Sequence, residues 1–143
     1  MSLAPAMQIR EQIIEHLKGN VAMFSLPIPT EQIRAVLDVS GTPKDTYGVI
    51  VSASDLGDHS GFVGRVLVDI QAQLTIYTHI NDDPEGRLAD ALASDVLNIM
   101  QGIQYTLDGW AVSYNGTWSE TDASMMDAFR QITLTATIPI QKS

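Results

Sequence analysis

The sequence contains no cysteine and few basic residues, and each shortage excludes a class of function. Without cysteine among its 143 residues, the chain has no thiol nucleophile, no disulfide and no thiolate metal ligand. Eight basic residues against 17 acidic ones give a net charge of −9, and the basic residues are scattered between Arg10 and Lys142. Proteins that bind duplex DNA usually concentrate basic side chains on one face. We therefore expect no sequence-specific binding of nucleic acid.

Long apolar runs are also missing, which bears on membranes and export. No stretch approaches the roughly 20 apolar residues that a membrane-spanning helix needs. The N-terminal sequence reaches Arg10 and Glu11 before any apolar core typical of a signal peptide. We expect a soluble, intracellular chain without membrane contact. We also expect a single domain over residues 1–143, with residues 1–4 either disordered or left over from cloning.

Two alternating segments give the clearest structural signal. RVLVDIQAQLTIYTHI (65–80) and RQITLTATIPI (130–140) place apolar side chains at every second position, which predicts two half-buried antiparallel strands. Their polar sides consist mainly of Gln and Thr, with Tyr77 and His79 on the same side of the first strand. Candidates for a channel lining or an interface on these sides are Asp69, Gln71, Gln73, Thr75, Gln131, Thr133 and Thr135.

Helical spacing and turn residues predict the other elements. A first helix carries Ile9, Ile13, Ile14 and Leu17 and ends near Gly19. A short helix is predicted over 30–37 and a short strand over 47–54. A helix beginning at residues 83–85 has its apolar stripe at 88, 92, 96, 99 and 103, and residues 109–118 predict a hairpin that turns at 115–116.

Taken in chain order, these elements predict the fold class. The order α-(α)-β-β-α-β-β-β is typical of an α+β fold. We expect a mainly antiparallel mixed sheet with the helices packed on one of its faces.

Three acidic residues beside a histidine, in HINDDPEGR (79–87), raise the question of a site. Asp83 fits a helix N-cap, Pro84 fits the first helical position, and Glu85 fits the positive end of the helix dipole. The alternative is metal or acid–base chemistry with His79, but the group lacks the spacing of convergent ligands. We expect a helix start here, with no metal and no cofactor.

The segment DLGDHSG (55–61) is predicted to be a loop and holds the other polar cluster. Asp55, Asp58, His59 and Ser60 allow a solvated loop, a calcium site, a protein contact or a hydrolase triad. Side chains at neighbouring positions diverge, which disfavours the triad. The motifs GxxxxGK[ST], GxGxxG, HExxH and GxSxG are absent. We therefore predict no catalytic residues and no enzyme.

Sulfur and indole side chains flank a second predicted loop, over 119–127. Trp118, Met125 and Met126 stand at the ends of its polar run SETDAS. Two alternatives remain for them, packing in the core and contact with a protein partner.

A family resemblance covers most of the chain and is clearest from about residue 47 onward. An amphipathic N-terminal helix and a short strand come first. A long alternating strand then ends in THINDD, the helix RLADALASDVLNIM follows, then LDGWAVSY, a polar loop and a last strand that opens FRQITL. This frame resembles the small tail-terminator and tail-completion proteins of long-tailed bacteriophages and prophages. The segment SLPIPTEQ (25–32) has no counterpart in that frame.

The resemblance implies a structural role. It implies a homo-oligomer, a hexameric ring at the end of the tail tube, which stops tube polymerisation and presents a surface to the head–tail connector. It also implies assembly in the host cytoplasm and residence in the virion tail, and it transfers no active-site residue.

The polar strand faces admit two interpretations. A Gln/Thr face without Lys or Arg suits a channel through which DNA slides, and it equally suits plain solvent. The alternative function is a soluble binding module, or an enzyme whose site is built from dispersed residues. A stable ring would favour the first function, and a monomer with a deep polar pocket the second.

Overall fold

A computed structural model describes residues 4–24, 28, 32–35, 47–58, 66–81, 83–121, 124–126 and 129–142. Its helical elements are α1 (Pro5–Gly19), a 3-10 turn (Val21–Met23) and α2 (Arg87–Met100). Its strands are β1 (Ile33–Arg34), β2 (Tyr47–Asp58), β3 (Val66–His79), β4 (Ala111–Val112), β5 (Ser119–Glu120), β6 (Ser124–Met126) and β7 (Phe129–Lys142).

One mixed sheet contains all of these strands. Its order is β1-β2-β3-β7-β4, and β5 and β6 also pair with β7. The two long strands β3 and β7 are antiparallel over their whole length, from Val66 opposite Lys142 to His79 opposite Phe129. The pairing of β1 with β2 is parallel, and the other pairings are antiparallel. The predicted α+β class and the two long strands are confirmed.

Both helices pack on the same face of the sheet, which we call the helix face. Alternate residues of β3 and β7 point into this layer because successive side chains of a strand face opposite ways. The predicted apolar stripes of both helices meet them there, with Ile9, Ile13, Leu17, Leu92 and Val96 all buried. Neither helix of the described chain is long and apolar enough to cross a membrane.

In the first half of the chain, one prediction is wrong and one confirmed strand is longer than predicted. The short helix expected over 30–37 is replaced at Ile33 and Arg34 by β1, and the other residues of that prediction lie largely outside the described ranges. Ile33 is buried in the core, because β1 places its apolar side chain there, whereas a helix on the surface would leave more of that side chain exposed. The strand expected over 47–54 continues to Asp58, because β3 is long enough to pair with it.

The predicted hairpin at Asn115 and Gly116 is also wrong. β4 and β5 do not pair with each other, and both lie antiparallel along β7. Gly116 does adopt a positive φ of 83°, but it does so where the chain leaves the β7 edge and rejoins it. A Cβ there would lie 3.2 Å from Ala136 Cβ and from Ile138 Cγ1, so glycine also permits a close approach to β7.

The loop expected over 119–127 is partly strand. β5 and β6 continue the same interrupted edge strand along β7, with Ser119 opposite Thr135 and Met126 opposite Phe129. The sequence of this edge strand shows no alternation of apolar residues, because an edge strand has little of its surface in the core.

The second helix begins later than predicted. α2 starts at Arg87, and Gly86, at a φ of 78°, occupies the N-cap position that we assigned to Asp83. A turn comes first, in which the Asp83 carbonyl accepts a hydrogen bond from the Gly86 N–H. The Asp83 carboxylate still accepts hydrogen bonds from backbone N–H groups in the first turn of α2, so Asp83 caps the helix although it does not occupy the N-cap position.

Candidate interaction surface

The face of the sheet opposite the helices, which we call the open face, carries the predicted Gln/Thr side chains. β3 and β7 bring them together in cross-strand rows, with Gln71 opposite Thr137, Gln73 opposite Thr135, and Thr75 opposite Thr133. The neighbouring positions of β2, Ser52 and Ser54, extend two of these rows. None of these side chains is buried, and both helices lie on the other side of the sheet.

The open face carries little charge. Within β3 and β7, Asp69 contributes one carboxylate to it, and neither strand contributes Lys or Arg. The two basic residues of β7, Arg130 and Lys142, stand opposite Thr78 and Val66 and so belong to the helix face. Arg34 stands opposite Ile50, which itself pairs with Thr75, so this basic residue lies on the open face at its β1 edge. The middle of the open face is therefore hydrated and neutral, while the molecule as a whole is strongly acidic.

One end of the open face is closed by aromatic side chains. Tyr77, which we expected at a polar surface position, is completely buried. Its ring lies edge-on to Phe129 at a centroid distance of 5.9 Å, and Phe129 also contacts His79 at 5.0 Å. Arg34 donates a hydrogen bond to the Tyr77 hydroxyl at 3.1 Å. Tyr77 is buried because of its neighbours: aromatic rings on adjacent strands shield one another from water.

The acidic cluster at the start of α2 is a buried helix cap. The Asp83 carboxylate is only 4% exposed. It accepts hydrogen bonds from the backbone N–H groups of Leu88 and Ala89, both at 2.9 Å, and from the Thr78 hydroxyl at 3.0 Å. Arg130 approaches from β7, where it donates to the carbonyl of Pro84 at 3.3 Å.

These contacts set the ionisation of Asp83. Burial alone would raise its pKa, but the three hydrogen bonds and the positive charge of Arg130 outweigh burial and hold the pKa below its ordinary value. The carboxylate is thus ionised at neutral pH, as a cap for the positive end of a helix dipole should be.

His79 does not join this cluster. Thr78 faces Asp83 on the helix face, so the adjacent His79 points to the open face, where its Nδ1 accepts a hydrogen bond from the Asn81 N–H at 3.1 Å. Glu85 forms an exposed ion pair with Arg87. In the described ranges, no group of three or more His, Asp or Glu side chains converges as a metal would require.

The second polar cluster, over 55–60, lies partly on β2. Asp55 is exposed and stands opposite Ile70, and the backbone of Asp58 pairs with Val68. The loop prediction is wrong for these two residues, because β2 continues past its apolar part. His59 and Ser60 lie outside the described residues, so the alternatives for the whole cluster stay open.

The structure places Trp118 in the core. Its side chain is 8% exposed and belongs to the apolar cluster under the sheet, where its Nε1–H finds no hydrogen-bond partner among the described residues. Met125 and Met126 pair through their backbones with Arg130 and Phe129, and their side chains lie outside the described parts. A role for these three residues in an interface stays a prediction.

A cleft at the β7 edge of the open face was missed by the sequence analysis. Its lining comes from β3, from β7, from β5 and from the segment between β4 and β5: Gln71, Tyr114, Thr117, Ser119, Thr135, Ala136 and Thr137. Tyr114, Thr117 and Ser119 fell in or beside the expected hairpin, so no sequence pattern indicated that they line a cleft. The hydroxyls of Ser119 and Thr135 lie 3.3 Å apart, and those of Tyr114 and Thr117 are hydrogen-bonded.

Comparison with known proteins gives one informative result. No family model matches the sequence, and no curated protein sequence matches it. Among solved structures, a chain described as "Virion of native gene transfer agent (GTA) particle" superposes with a TM-score of 0.70. The alignment covers 98% of this chain and 99% of that chain at 14% identity. At that identity the likeness shows a shared fold over essentially the whole length of both chains.

Proposed function

We propose that this chain is a structural protein of a phage-like virion. The observation that carries the proposal is the fold match, which spans both chains almost from end to end and belongs to a virion component of a gene transfer agent particle. A fold shared over essentially the whole length of both chains supports a shared role in assembly.

Within such a particle, the role that fits the molecule best is tail termination. The chain forms a hexameric ring at the end of the tail tube, stops polymerisation of the tube and joins it to the head–tail connector. The resemblance of most of the chain, clearest from about residue 47 onward, to tail-terminator and tail-completion proteins supports this role. The chain acts by assembly in the host cytoplasm and then resides in the virion tail, and it is not an enzyme.

The open face supports a position next to DNA. A channel for duplex DNA must stay hydrated without holding phosphate, and Lys or Arg side chains are the groups that hold phosphate. β3 and β7 together place Gln and Thr rows on this face and no basic residue. In the proposed ring, this face lines or approaches the channel.

The test is the oligomeric state and the effect on tail tubes. Light scattering should give a particle of six times the 15.6 kDa chain mass, and negative-stain images should show rings. Added to tail-tube protein during polymerisation, the chain should stop tube growth and appear at one end of each tube. A chain that stays monomeric both alone and with tubes, and leaves their length distribution unchanged, would contradict the proposal.

A soluble binding module is the second candidate, and the cleft beside Tyr114 is the observation that favours it. A binding module would remain monomeric and bind a small ligand there. The same light-scattering measurement separates the two functions.

A further inference from the structure

The cleft at the β7 edge differs chemically from the rest of the molecule. Six of its seven lining residues carry a side-chain hydroxyl or amide, the seventh is Ala136, and none carries a charge, on a chain with a net charge of −9. Its volume is about 300 Å³, which lies at the small end of ligand-binding pockets. A small ligand therefore fits it better than a large one.

The lining restricts the class of ligand. An anion meets no cationic side chain in the cleft and a negative field around it, while a cation finds no carboxylate in the lining. A purely apolar ligand would cover the Gln71 amide and the Thr135 and Thr137 hydroxyls without bonding to them, which is unfavourable. Hydroxyls and amides both donate and accept hydrogen bonds, so their complement is an uncharged ligand with many hydroxyl groups.

Tyr114 adds an apolar contact at the rim. The residue is 53% exposed, although large aromatic side chains usually lose more of their surface on folding. Its hydroxyl is hydrogen-bonded to the Thr117 hydroxyl, which fixes the ring beside the cleft. An aromatic ring next to hydroxyl and amide groups matches a sugar ring, which has an apolar C–H surface and a polar edge.

We propose that this cleft binds a neutral saccharide. An extended peptide fits less well, because the β7 edge is already occupied. Ser113 N–H donates to the Pro139 carbonyl at 3.0 Å, and Thr121 N–H donates to the Thr133 carbonyl at 2.9 Å. A peptide strand would find no free β7 edge at these positions to pair with.

The saccharide site does not depend on the proposed ring. In the free subunit the cleft opens to solvent, and in a ring whose channel is lined by the open face it would open into the channel. Binding is therefore measured on the subunit at low concentration, independently of any tail-capping assay. Failure of one proposal leaves the other intact.

The experiment measures binding of defined probes to the wild-type chain and to three variants. The probes are the neutral trisaccharides maltotriose, cellotriose and triacetylchitotriose, a trigalacturonate as charged comparator, and a Ser/Thr/Gln peptide. The cleft variants are Tyr114→Ala and Gln71→Ala. The matched control is Thr75→Ala, which removes a polar side chain of the same face outside the cleft. Saturation-transfer NMR detects the bound probe, and amide shift changes locate it.

We expect one or more neutral trisaccharides to bind in the millimolar range and to shift the amides of residues 114–119 and 135–137. Tyr114→Ala and Gln71→Ala should each weaken that binding by about tenfold, and Thr75→Ala should leave it unchanged. The proposal is overturned if no trisaccharide binds at high millimolar concentration, or if the control loses binding as strongly as the cleft variants. Tighter binding of the trigalacturonate or of the peptide would overturn it as well.

Discussion

Replacing Asp83 by alanine should destabilise the fold far more than its position before a helix would suggest. The carboxylate is buried and accepts three hydrogen bonds, from Leu88 N–H, Ala89 N–H and the Thr78 hydroxyl. Removing it leaves three donors unpaired, and it also removes the negative charge from the start of α2. Arg130 loses its nearby counter-charge in the same step.

The size of the effect follows from these contacts. A hydrogen bond to a charged acceptor contributes about 1.5–3 kcal/mol net. The three hydrogen bonds of Asp83 belong to one helix cap, so their contributions do not simply add. Leu88 is only half-buried, so water can hydrogen-bond to its N–H when the carboxylate is removed. We expect Asp83→Ala to lower the free energy of unfolding by about 3–5 kcal/mol.

Asp90→Ala is the matched control. Asp90 is an exposed acid in the first turn of the same helix, so its removal tests the dipole contribution without a buried network. That contribution is typically below about 1 kcal/mol. Urea denaturation, followed by the fluorescence of the two tryptophans at one low protein concentration, gives both values by linear extrapolation.

Acid titration supplies an independent check on the same group. The pKa of Asp83 in the folded chain lies below its ordinary value of 3.8, so the fold favours the ionised form. Its contribution is therefore complete above the unfolded-state pKa and is lost as the pH falls through the folded-state pKa. The stability gap between wild type and Asp83→Asn should be constant near neutral pH and shrink below about pH 4. A loss from Asp83→Ala no larger than that from Asp90→Ala, or a gap unchanged down to pH 2, would refute the reasoning.

The remaining predictions address the core, the closed end, the open face and metals. Leu92→Ala should cost about 2–5 kcal/mol in urea denaturation, since Leu92 is fully buried, and a loss below about 1 kcal/mol would contradict its place in the core. Gly48→Ala should cost about 1–3 kcal/mol, because the new Cβ would lie 2.5 Å from the Tyr77 hydroxyl; an unchanged melting curve would argue against this packing. Gln71→Lys combined with Thr133→Lys should spare the fold and add salt-sensitive affinity for duplex DNA in fluorescence anisotropy, and unchanged affinity at low salt would count against the neutral face as a cause of weak DNA binding. Thermal melts should agree with and without EDTA, calcium or zinc; a shift of several degrees would reopen the question of a metal site.

The sequence by itself determined those elements whose pattern is local. Strict alternation in β3 and β7 identified both strands and their buried sides, and the helical spacing of Ile9, Ile13 and Leu17 identified α1. Period-2 and period-3.6 patterns arise from the geometry of the chain itself, so they can be recognised without knowledge of any partner. The polar character of the open face was predictable for the same reason.

Tertiary structure alone decided what each element pairs with and what covers it. Asn115 and Gly116 have the sequence of a hairpin turn, but the long β7 offered β4 and β5 a better partner than each other. Tyr77 continued the polar alternation, but the ring of Phe129 and the guanidinium of Arg34, both distant in sequence, lie against it in a buried position. Such outcomes depend on contacts between residues far apart in sequence, and neither turn propensity nor periodicity contains that information. The Tyr114 cleft exists for that reason, because three separate segments meet at one edge of the sheet.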